Sequence, residues 1–564
     1  MSRRQGWLAL SVLLAGASGL LVWLGRDYTF VADEVAWIEW VGTEPLPSLL
    51  GPYNGNLHVS TLLVTRGLLS ASGTGYLPFS LFGAVGLCLS GAVLYSWCAR
   101  RLGYALALVP VALIAGFGSG WAILLQPLVG TVFYFGLGLG LLALLMLERR
   151  DRTGDLAACA LLCASLSFYS LGVAFLAAGL VALAFTPEWR RRLWVILVPA
   201  VLYGSWRIAS GFIDSPAYLP QFGGEAINLI RAPLSLIDSA ALVVQAIFTG
   251  GTEPITQGPA TSLVLDGFTM KRLAATAVLA LVEAGALAVA FIAMRRRGGI
   301  PPSVWAALAA LVTLWSAQAF VLGEGRTPNE SRYLFSGAFL VVVLAVEVVG
   351  ALRPSRRVLA IAAAAMVIPI ALNLREMDEP NRLLEDYSIR ARADMAVVEL
   401  ASNRVDPGFV PQLLRPVVPY ALYLTAGPWN KMVHRHGSPS LPLSELPLQS
   451  DDIRMEADIV LAAALRLQTS PVGAPGRGCR PSRGGPLRLP ASGAVLLSAR
   501  PALVFVGRWA AGHPAFVGDL KAGQARVLRV PRDEVQVPWR VTTQPPGQLE
   551  VCALGAGRAR VEAS

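Results

Sequence analysis

Charged residues are scarce in this chain of 564 residues. Only 15% of the residues are Asp, Glu, Lys or Arg and 54% are hydrophobic, whereas soluble proteins carry about 25% charged residues. Mean hydropathy is +0.56. These values exclude a disordered chain, a fibrous protein and a simple soluble enzyme. Apolar runs dominate before residue 375 and are short after it, which indicates a polytopic membrane protein with a water-soluble C-terminal part.

Lysine is rarer still. Only three of the 47 basic residues are Lys, and the Arg residues lie mostly in short clusters between apolar runs. Such clusters hold loops in the cytoplasm, so the net charge of +11 reflects topology and predicts no nucleic-acid partner. The preference for Arg, with abundant Ala and Gly, is typical of high-GC bacteria such as actinobacteria.

Cysteine is also sparse, with six residues in the chain. Four of them lie in or beside apolar runs and are interpreted as packed thiols: Cys88, Cys98, Cys159 and Cys163. Cys479 and Cys552 are the only two in the C-terminal part, which makes them a possible disulfide pair if that part is exported. No spacing of ligands predicts a metal site, and no cofactor is indicated. The sequence is compatible with a divalent metal but does not indicate one.

Eleven apolar runs approach the length of about 20 residues that a spanning helix needs. They cover residues 7–25, 77–98, 104–120, 131–147, 156–170, 171–186, 193–209, 272–294, 304–322, 333–351 and 357–375. The fifth and sixth runs are nearly continuous and are read either as two short helices or as one long broken helix.

The distribution of Arg decides between these alternatives. With eleven spans and the N-terminus inside, sixteen basic residues fall in cytoplasmic loops against four acids. Merging the fifth and sixth runs would place the last two Arg clusters outside. The positive-inside rule therefore predicts a protein of the plasma membrane whose N-terminus is in the cytoplasm and whose C-terminus is outside.

The predicted fold class is mostly α. A transmembrane helix bundle forms residues 1–375, an exported helical region forms residues 376–470, and residues 471–564 form a small exported β-sandwich. Short alternating stretches bounded by Gly or Pro predict the sandwich, beginning at Ala494, Leu503, Arg526 and Leu549.

The first exported loop carries adjacent carboxylates, Asp33 and Glu34. A carboxylate near a membrane surface is partly desolvated and retains its proton longer, which suits a general base near neutral pH. The alternative is that the two acids only mark a water-exposed loop.

The same loop contains His58, the first His of the chain, followed eight residues later by Arg66. Both side chains are candidates to contact a phosphate group in an outer cleft. In the alternative interpretation, His58 caps the helix that follows it.

A late loop carries Arg326 and Arg332 on the side where positive charge is otherwise sparse. The planar donor fork of Arg matches phosphate oxygens, so these residues are candidates to hold the phosphate of a lipid-linked ligand. Alternatively, they pair with Glu324 and Glu330 of the same loop.

Asp33-Glu34 after the first span, and the stretch from Asn54 to His58, resemble the GT-C superfamily of polytopic glycosyltransferases. The acidic pair is similar to that of protein O-mannosyltransferases and aminoarabinose transferases, and Arg332-Tyr333 resembles the opening of a late span in bacterial members. The resemblance implies that Asp33 or Glu34 is the base, and that the donor is a polyprenyl-phosphate sugar. With such a donor, the residues predicted to hold its phosphate are His58, Arg66, Arg326, Arg332 and Tyr333.

The sequence therefore predicts a glycosyltransferase that transfers a sugar to a glycan, lipid or protein acceptor of the cell envelope, among membrane lipids. Two alternatives remain open. A transporter or flippase of lipid-linked intermediates would use ionisable groups near the midplane, where Glu283 is the main candidate. A non-enzymatic membrane protein would use its exported domain to bind glycan or protein.

Overall fold

The structure is a computed structural model that describes residues 1–213, 227–251, 270–321, 327–411, 424–472, 477–482, 485–512, 514–533, 535–546 and 549–554. The chain divides into two compact units. The first comprises Met1–Tyr28 and Ala36–Glu385, and the second comprises Thr29–Val35 and Asp386–Ser564. The domain boundaries predicted from composition, at residues 375 and 470, stay predictions.

Helices make up almost all of the first unit. In chain order they are α1 Arg3–Leu24, α2 Asp33–Thr43, α3 Val59–Ser72, α4 Tyr76–Leu102, α5 Leu108–Ala115, α6 Trp121–Leu125, α7 Pro127–Leu147, α8 Arg152–Phe168, α9 Gly172–Ala184, α10 Trp189–Arg192, α11 Trp194–Ala209, α12 Ile227–Thr249, α13 Met270–Arg296, α14 Pro302–Phe320, α15 Ser331–Leu352, α16 Arg356–Ala365 and α17 Val367–Glu376.

Seven helical segments within the described ranges are long and apolar enough to cross a membrane. They are Arg3–Asp27, Tyr76–Leu102, Pro127–Leu147, Trp189–Phe212, Pro302–Phe320, Ser331–Leu352 and the long segment Arg356–Leu400. A pair of helices bent by 50°, Leu108–Ala115 and Gly118–Leu125, would add an eighth. The protein is thus a multi-pass membrane protein, as predicted, whereas the count of eleven spans and their orientation stay predictions.

The fifth and sixth predicted spans form two helices, α8 and α9, separated by residues 169–171. Both pack on α7. Ser165 of α8 donates a hydrogen bond to the Gly136 carbonyl (2.7 Å). In α9 the ring of Phe175 lies so close to Gly140 that a Cβ there would be 2.1 Å from ring atom Cδ2. The absence of a side chain on α7 therefore lets α9 approach it.

Arginines of the predicted cytoplasmic clusters have structural partners. Arg192 forms a buried ion pair with Asp155 (Nη2 to Oδ1, 2.6 Å). Arg101 pairs with Glu148 (2.6 Å) and with the buried Glu347 of α15. A charge inside an apolar bundle is costly unless it is paired, so these pairs join neighbouring helices and neutralise the acids.

The second unit combines helices with two antiparallel sheets. The helices are α18 Asp378–Leu400, which begins in the first unit, α19 Ala426–His436 and α20 Asp451–Ala464. The strands are β1 Thr469–Pro471, β2 Arg477–Pro481, β3 Leu487–Arg488, β4 Ala494–Ser498, β5 Ala502–Gly507, β6 Ala515–Leu520, β7 Ala525–Leu528, β8 Arg540–Gln544 and β9 Leu549–Ala553. The strand orders are β1-β7-β4-β9-β2 and β3-β8-β5-β6.

All four predicted strands are present, which confirms the C-terminal β region. In the five-stranded sheet, Val495 of β4 lies opposite Val527 of β7 and Cys552 of β9, and these three side chains form an apolar core cluster. Cys552 forms a disulfide bond with Cys479. Cys479 lies within β2, which pairs with β9 and comes before the four strands that the sequence predicts.

A buried carboxylate joins α20 to the four-stranded sheet. Asp458 accepts hydrogen bonds from the backbone N–H groups of Arg508 (2.7 Å), Trp509 (3.1 Å) and Ala510 (2.9 Å), just after β5 ends. Burial raises the pKa of Asp458 to about 6, opposed by these N–H groups, so the carboxylate is ionised at neutral pH. One side chain thus satisfies three N–H groups that the strand leaves unpaired.

We expect Asp458→Asn to destabilise the second unit by about 2 kcal/mol, because an amide NH2 cannot accept from these buried donors. In the full-length protein in detergent, protease should cleave the C-terminal region at least about tenfold faster, since cleavage follows local opening.

Asp519→Asn is the matched control. Asp519 is exposed, and its ion pair with Arg526 is long, at 3.9 Å. This substitution should leave the cleavage rate nearly unchanged. Equal rates for wild type and Asp458→Asn would show that the contact contributes nothing to stability.

Candidate functional site

The two predicted catalytic acids occupy the first turn of α2. The turn before the helix is closed by hydrogen bonds from the Glu34 N–H to the Val31 carbonyl and from the Val35 N–H to the Ala32 carbonyl, both 3.1 Å. Ala32 has φ +51°, a left-handed conformation that costs a non-glycine residue about 1 kcal/mol. Such strain is concentrated at functional sites, and here it directly precedes Asp33.

The two acids differ in their access to solvent. Asp33 is half-buried, whereas Glu34 is fully buried, with 0% of its surface exposed. Both lie at the N-terminal end of a helix, where the helix dipole favours negative charge. A substrate in solution can therefore reach Asp33 but not Glu34 in this conformation.

The segment that precedes the acids is held against α18. The Thr29 N–H donates to Ser388 Oγ (3.2 Å), and Thr29, Phe30 and Val31 are each at most 4% exposed. This segment is part of the second compact unit. The start of α2 is therefore fixed by packing and does not move as a free loop.

His58 belongs to a group of five neighbouring rings that we call the aromatic cluster: Trp37, Trp40, Tyr53, His58 and Tyr169. The His58 ring centroid lies 5.4 Å from that of Trp37, 5.8 Å from that of Tyr53 and 5.3 Å from that of Tyr169. Tyr53 also contacts Trp37 (5.8 Å) and Trp40 (6.3 Å). These separations are typical of favourable ring pairs.

A tight turn brings Tyr53 and His58 together. The Tyr53 and Asn56 backbones exchange two hydrogen bonds of 3.1 and 2.9 Å, and the two residues between them, Asn54 and Gly55, have φ +52° and +75°. Asn-Gly is the preferred pair for such a turn, because both positions need positive φ. The stretch from Asn54 to His58 therefore begins with a turn that positions the rings of Tyr53 and His58.

Asp33 and two rings of the aromatic cluster, Trp37 and Trp40, lie on one face of α2. Trp37 follows Asp33 by four residues and Trp40 follows it by seven, the spacing of side chains on one side of a helix. The helix thus presents a carboxylate at its first turn and two indole rings along the same stripe.

The cluster contains polar atoms whose hydrogen-bonding capacity is unused among the described residues. Trp37 Nε1, Trp40 Nε1 and His58 Nδ1 are buried there without a hydrogen-bond partner. Most buried polar atoms in folded proteins have one. Burial also lowers the pKa of His58 to about 3, so its imidazole is neutral, and as the N-cap residue of α3 it makes no side-chain capping bond. The cluster can therefore offer hydrogen bonds to an uncharged polar group.

Arg66 has a structural contact at the other end of α2. Its Nη1 donates to the Glu44 carbonyl (3.0 Å), just beyond the helix C-terminus, and the side chain is half-buried. A cation there complements the negative end of the helix dipole. Its contact with a phosphate stays a prediction.

The late loop places Arg332 in the first turn of α15. Its guanidinium lies 5.3 Å from the centroid of the Tyr333 ring. Ser331 Oγ accepts a hydrogen bond from the Ala122 N–H (2.9 Å), which fixes the start of the helix. Burial raises the pKa of Glu330, and the charge of Arg332 opposes this shift. Arg326 and Glu324 lie outside the described residues, so their predicted contacts are not described.

Helix α7 contacts both the aromatic cluster and α15. Phe133 of α7 contacts Tyr169 (centroids 5.0 Å apart), and the next residue, Tyr134, contacts Phe335 of α15 (5.8 Å). Phe335 lies three residues after Arg332. Consecutive helical residues point about 100° apart, so one end of α7 separates the cluster from the helix that carries Arg332.

Sequence reasoning missed most of the cluster. The sequence points to His58 and not to Trp37, Trp40, Tyr53 or Tyr169. The spacing of Trp37 and Trp40 was a usable signal, whereas the position of Tyr169 depends on tertiary packing. Within the described ranges, no three His, Cys, Asp or Glu side chains are grouped so that they could hold a metal ion.

Comparisons with known proteins give a weak structural likeness. No protein-family model and no curated protein matches the chain. The crystal structure of apo ArnT from Cupriavidus metallidurans is similar with a TM-score of 0.44 and 14% identity, over 79% of this chain and 91% of that chain. The same protein bound to undecaprenyl phosphate gives a TM-score of 0.44 and 13% identity, over 80% and 88% of the two chains. Both measures are low, and the proposals below rest on the residues of this chain.

The lowered pKa of His58 gives a pH test of the aromatic cluster. Because the folded chain resists protonation, the contribution of His58 to stability is complete above pH 6.5, the ordinary His pKa, and is lost as pH falls from there toward 3. Between pH 7 and pH 5, wild type should lose about 2 kcal/mol more stability than His58→Phe, which keeps the ring but cannot titrate.

The thermal midpoint of the purified protein in detergent, followed across this pH range, measures the effect. His434→Phe serves as control, because His434 is exposed, and its pH profile should match that of wild type. If His58→Phe also matches wild type, His58 is not a buried neutral imidazole.

Proposed function

We propose that this protein is an integral membrane glycosyltransferase that moves a sugar from a polyprenyl-phosphate donor to a cell-envelope acceptor at the outer face of the plasma membrane. The observation that carries the proposal is the arrangement on α2, where a reachable carboxylate and two indole rings lie along one face after a strained turn. Acceptor activation and sugar binding need these two kinds of side chain.

In the proposed reaction Asp33 is the base. It takes the proton of an acceptor hydroxyl whose oxygen attacks the anomeric carbon of the donor sugar. The bond from that carbon to the phosphate oxygen breaks, and polyprenyl phosphate leaves with the electron pair. Because phosphate is a good leaving group, positioning and charge stabilisation should contribute more than acid catalysis. Asp33 is preferred to Glu34 because Glu34 is fully buried.

The aromatic cluster is proposed to line the inner side of the donor-sugar site. Its indole N–H groups and neutral His58 suit hydroxyl groups and have no described protein partner. Because Trp37, Trp40 and His58 are at most 4% exposed, the sugar reaches these atoms only after the rings shift on binding. His58 would therefore contact a hydroxyl or a phosphate oxygen by hydrogen bonding and not through a positive charge.

The donor phosphate is assigned to the arginines. Arg332, next to Tyr333 at the start of α15, is the leading candidate, together with Arg326 and Arg66. A guanidinium at a span end lies at the depth of a lipid phosphate and presents a matching donor fork. In this proposal the C-terminal region is extracytoplasmic, where it contacts a glycan, lipid or protein acceptor.

Replacing the base should abolish transfer while leaving the fold intact. We expect Asp33→Asn to lower the transfer rate by about 10²–10⁴-fold, the usual contribution of a general base. Glu34→Gln should lower it less and should act through stability. Transfer is measured in proteoliposomes with labelled polyprenyl-phosphate pentose and hexose as donors and a cell-envelope extract as acceptor.

Asp27→Asn is the matched control, because Asp27 belongs to the same loop but is exposed and paired only with the exposed Arg26 (3.2 Å). Its transfer rate should equal that of wild type. Unchanged transfer in Asp33→Asn would contradict the assignment of the base. If the labelled lipid crosses the bilayer of wild-type proteoliposomes and no glycosidic bond forms, the protein is a transporter. If neither process occurs, a non-enzymatic binding role is favoured.

A further inference from the structure

The second compact unit contains an open cavity of about 400 Å³ with three arginines in its wall. Arg404, Arg529 and Arg532 line it together with Ser492, and Leu467 and Val530 are among the apolar residues beneath them. We call this the arginine cavity. Its size falls within the range of small-ligand pockets. All of its lining residues belong to one unit, and none belongs to the site proposed for sugar transfer.

Short backbone contacts fix the wall of the cavity. Arg404 lies in the turn after α18, where its N–H donates to the Ala401 carbonyl (2.8 Å). Arg529 follows directly after β7. Gly493, beside Ser492, has φ +103°, and a Cβ there would lie 2.1 Å from the Leu528 carbonyl oxygen. Ser492 is therefore held close to the end of β7, next to Arg529.

Within the described residues, no acid forms an ion pair with the arginines of the cavity. Five other arginines of the same unit have acidic partners: Arg390, Arg454, Arg466, Arg508 and Arg526. Arg404, Arg529 and Arg532 have none among the residues that the structure describes, as is also true of Arg488, Arg500 and Arg540, but only the first three line one cavity. Bringing three like charges to one cavity is unfavourable, and a bound anion would offset that repulsion.

We propose that the arginine cavity binds a phosphate ester. Guanidinium groups from two separate segments can surround one tetrahedral anion, and the Ser492 hydroxyl adds a further donor. The apolar residues beneath accommodate the organic part of the ester. The cavity is open, which suits a phosphate carried by a larger molecule. Two sources share this chemistry, a phosphorylated saccharide and a phospholipid headgroup. The proposal does not depend on the transfer reaction.

The test uses the full-length protein in phosphatidylcholine nanodiscs and isothermal titration calorimetry at low salt. The probes are glucose 1-phosphate for a saccharide source, monomeric dihexanoyl phosphatidylglycerol for a headgroup source, and glucose as the uncharged control. We expect saturable binding of at least one phosphate ester, weaker at high salt, and none of glucose. The ester that binds more tightly identifies the source.

Variants then assign the binding to the cavity. Each of Arg404→Gln, Arg529→Gln and Arg532→Gln should weaken binding about tenfold, and the triple variant should abolish it. Arg529→Lys, which keeps the charge but loses the donor fork, should fall between wild type and Arg529→Gln. The matched control is Arg500→Gln, which removes one charge from an exposed position of the same unit outside the cavity and should change affinity less than twofold. An unchanged thermal midpoint shows that each variant is folded.

Two results would overturn the proposal. One is a wild-type protein that binds neither phosphate ester at millimolar concentration. The other is binding that Arg500→Gln weakens as much as the cavity variants do, because the attraction would then come from the net charge of the unit and not from this site.

Discussion

The cost of burying a polar group without a partner constrains this protein throughout. Several of its buried charged residues are paired, Arg192 with Asp155 and Arg101 with Glu347. In the second unit, Asp458 satisfies three backbone N–H groups with one side chain. Because such pairing is the rule for buried groups, the places where it fails are informative. Trp37 Nε1, Trp40 Nε1 and His58 Nδ1 belong to the larger set of such atoms among the described residues, and these three lie together in the aromatic cluster.

The placement of charged and aromatic side chains along α2 follows from the same cost of leaving buried polar groups unpaired. At its first turn the helix dipole favours carboxylates, which allows two acids to stand side by side with one of them fully buried. At its far end Arg66 donates to a free carbonyl, which satisfies the C-terminus. Between the two ends the indole rings provide contact area without charge. The resulting helix is stable at both ends while its middle retains unused donors, which is the condition for binding a neutral polar ligand.

The sequence predicts those features that depend on neighbours in the chain. Hydropathy identifies the long helices, and period-two alternation identifies β4, β5, β7 and β9, because local patterns carry both signals. The adjacency of Asp33 and Glu34 is also local, whereas the helix α2 that they begin is not among the predictions. The aromatic cluster is not, because Tyr169 comes from the break between α8 and α9 and joins His58 only after both helices pack on α7. Similarly, no local signal shows that Cys479 lies within β2 or that Arg66 reaches the Glu44 carbonyl.

The contrast between the two sets of unsatisfied groups extends this argument to ligand chemistry. In the aromatic cluster the unused atoms are neutral and buried, so a charged ligand would pay a large desolvation cost there while a hydroxyl group would not. In the arginine cavity the unused groups are cationic and open to water, where an anion keeps part of its hydration and still gains charge-assisted hydrogen bonds. In the two proposals the sites therefore select different chemical groups, an uncharged sugar ring at the aromatic cluster and a phosphate ester at the arginine cavity. A molecule that carries both groups need not occupy both sites, because each proposed site is formed by its own residues and uses none of the other's.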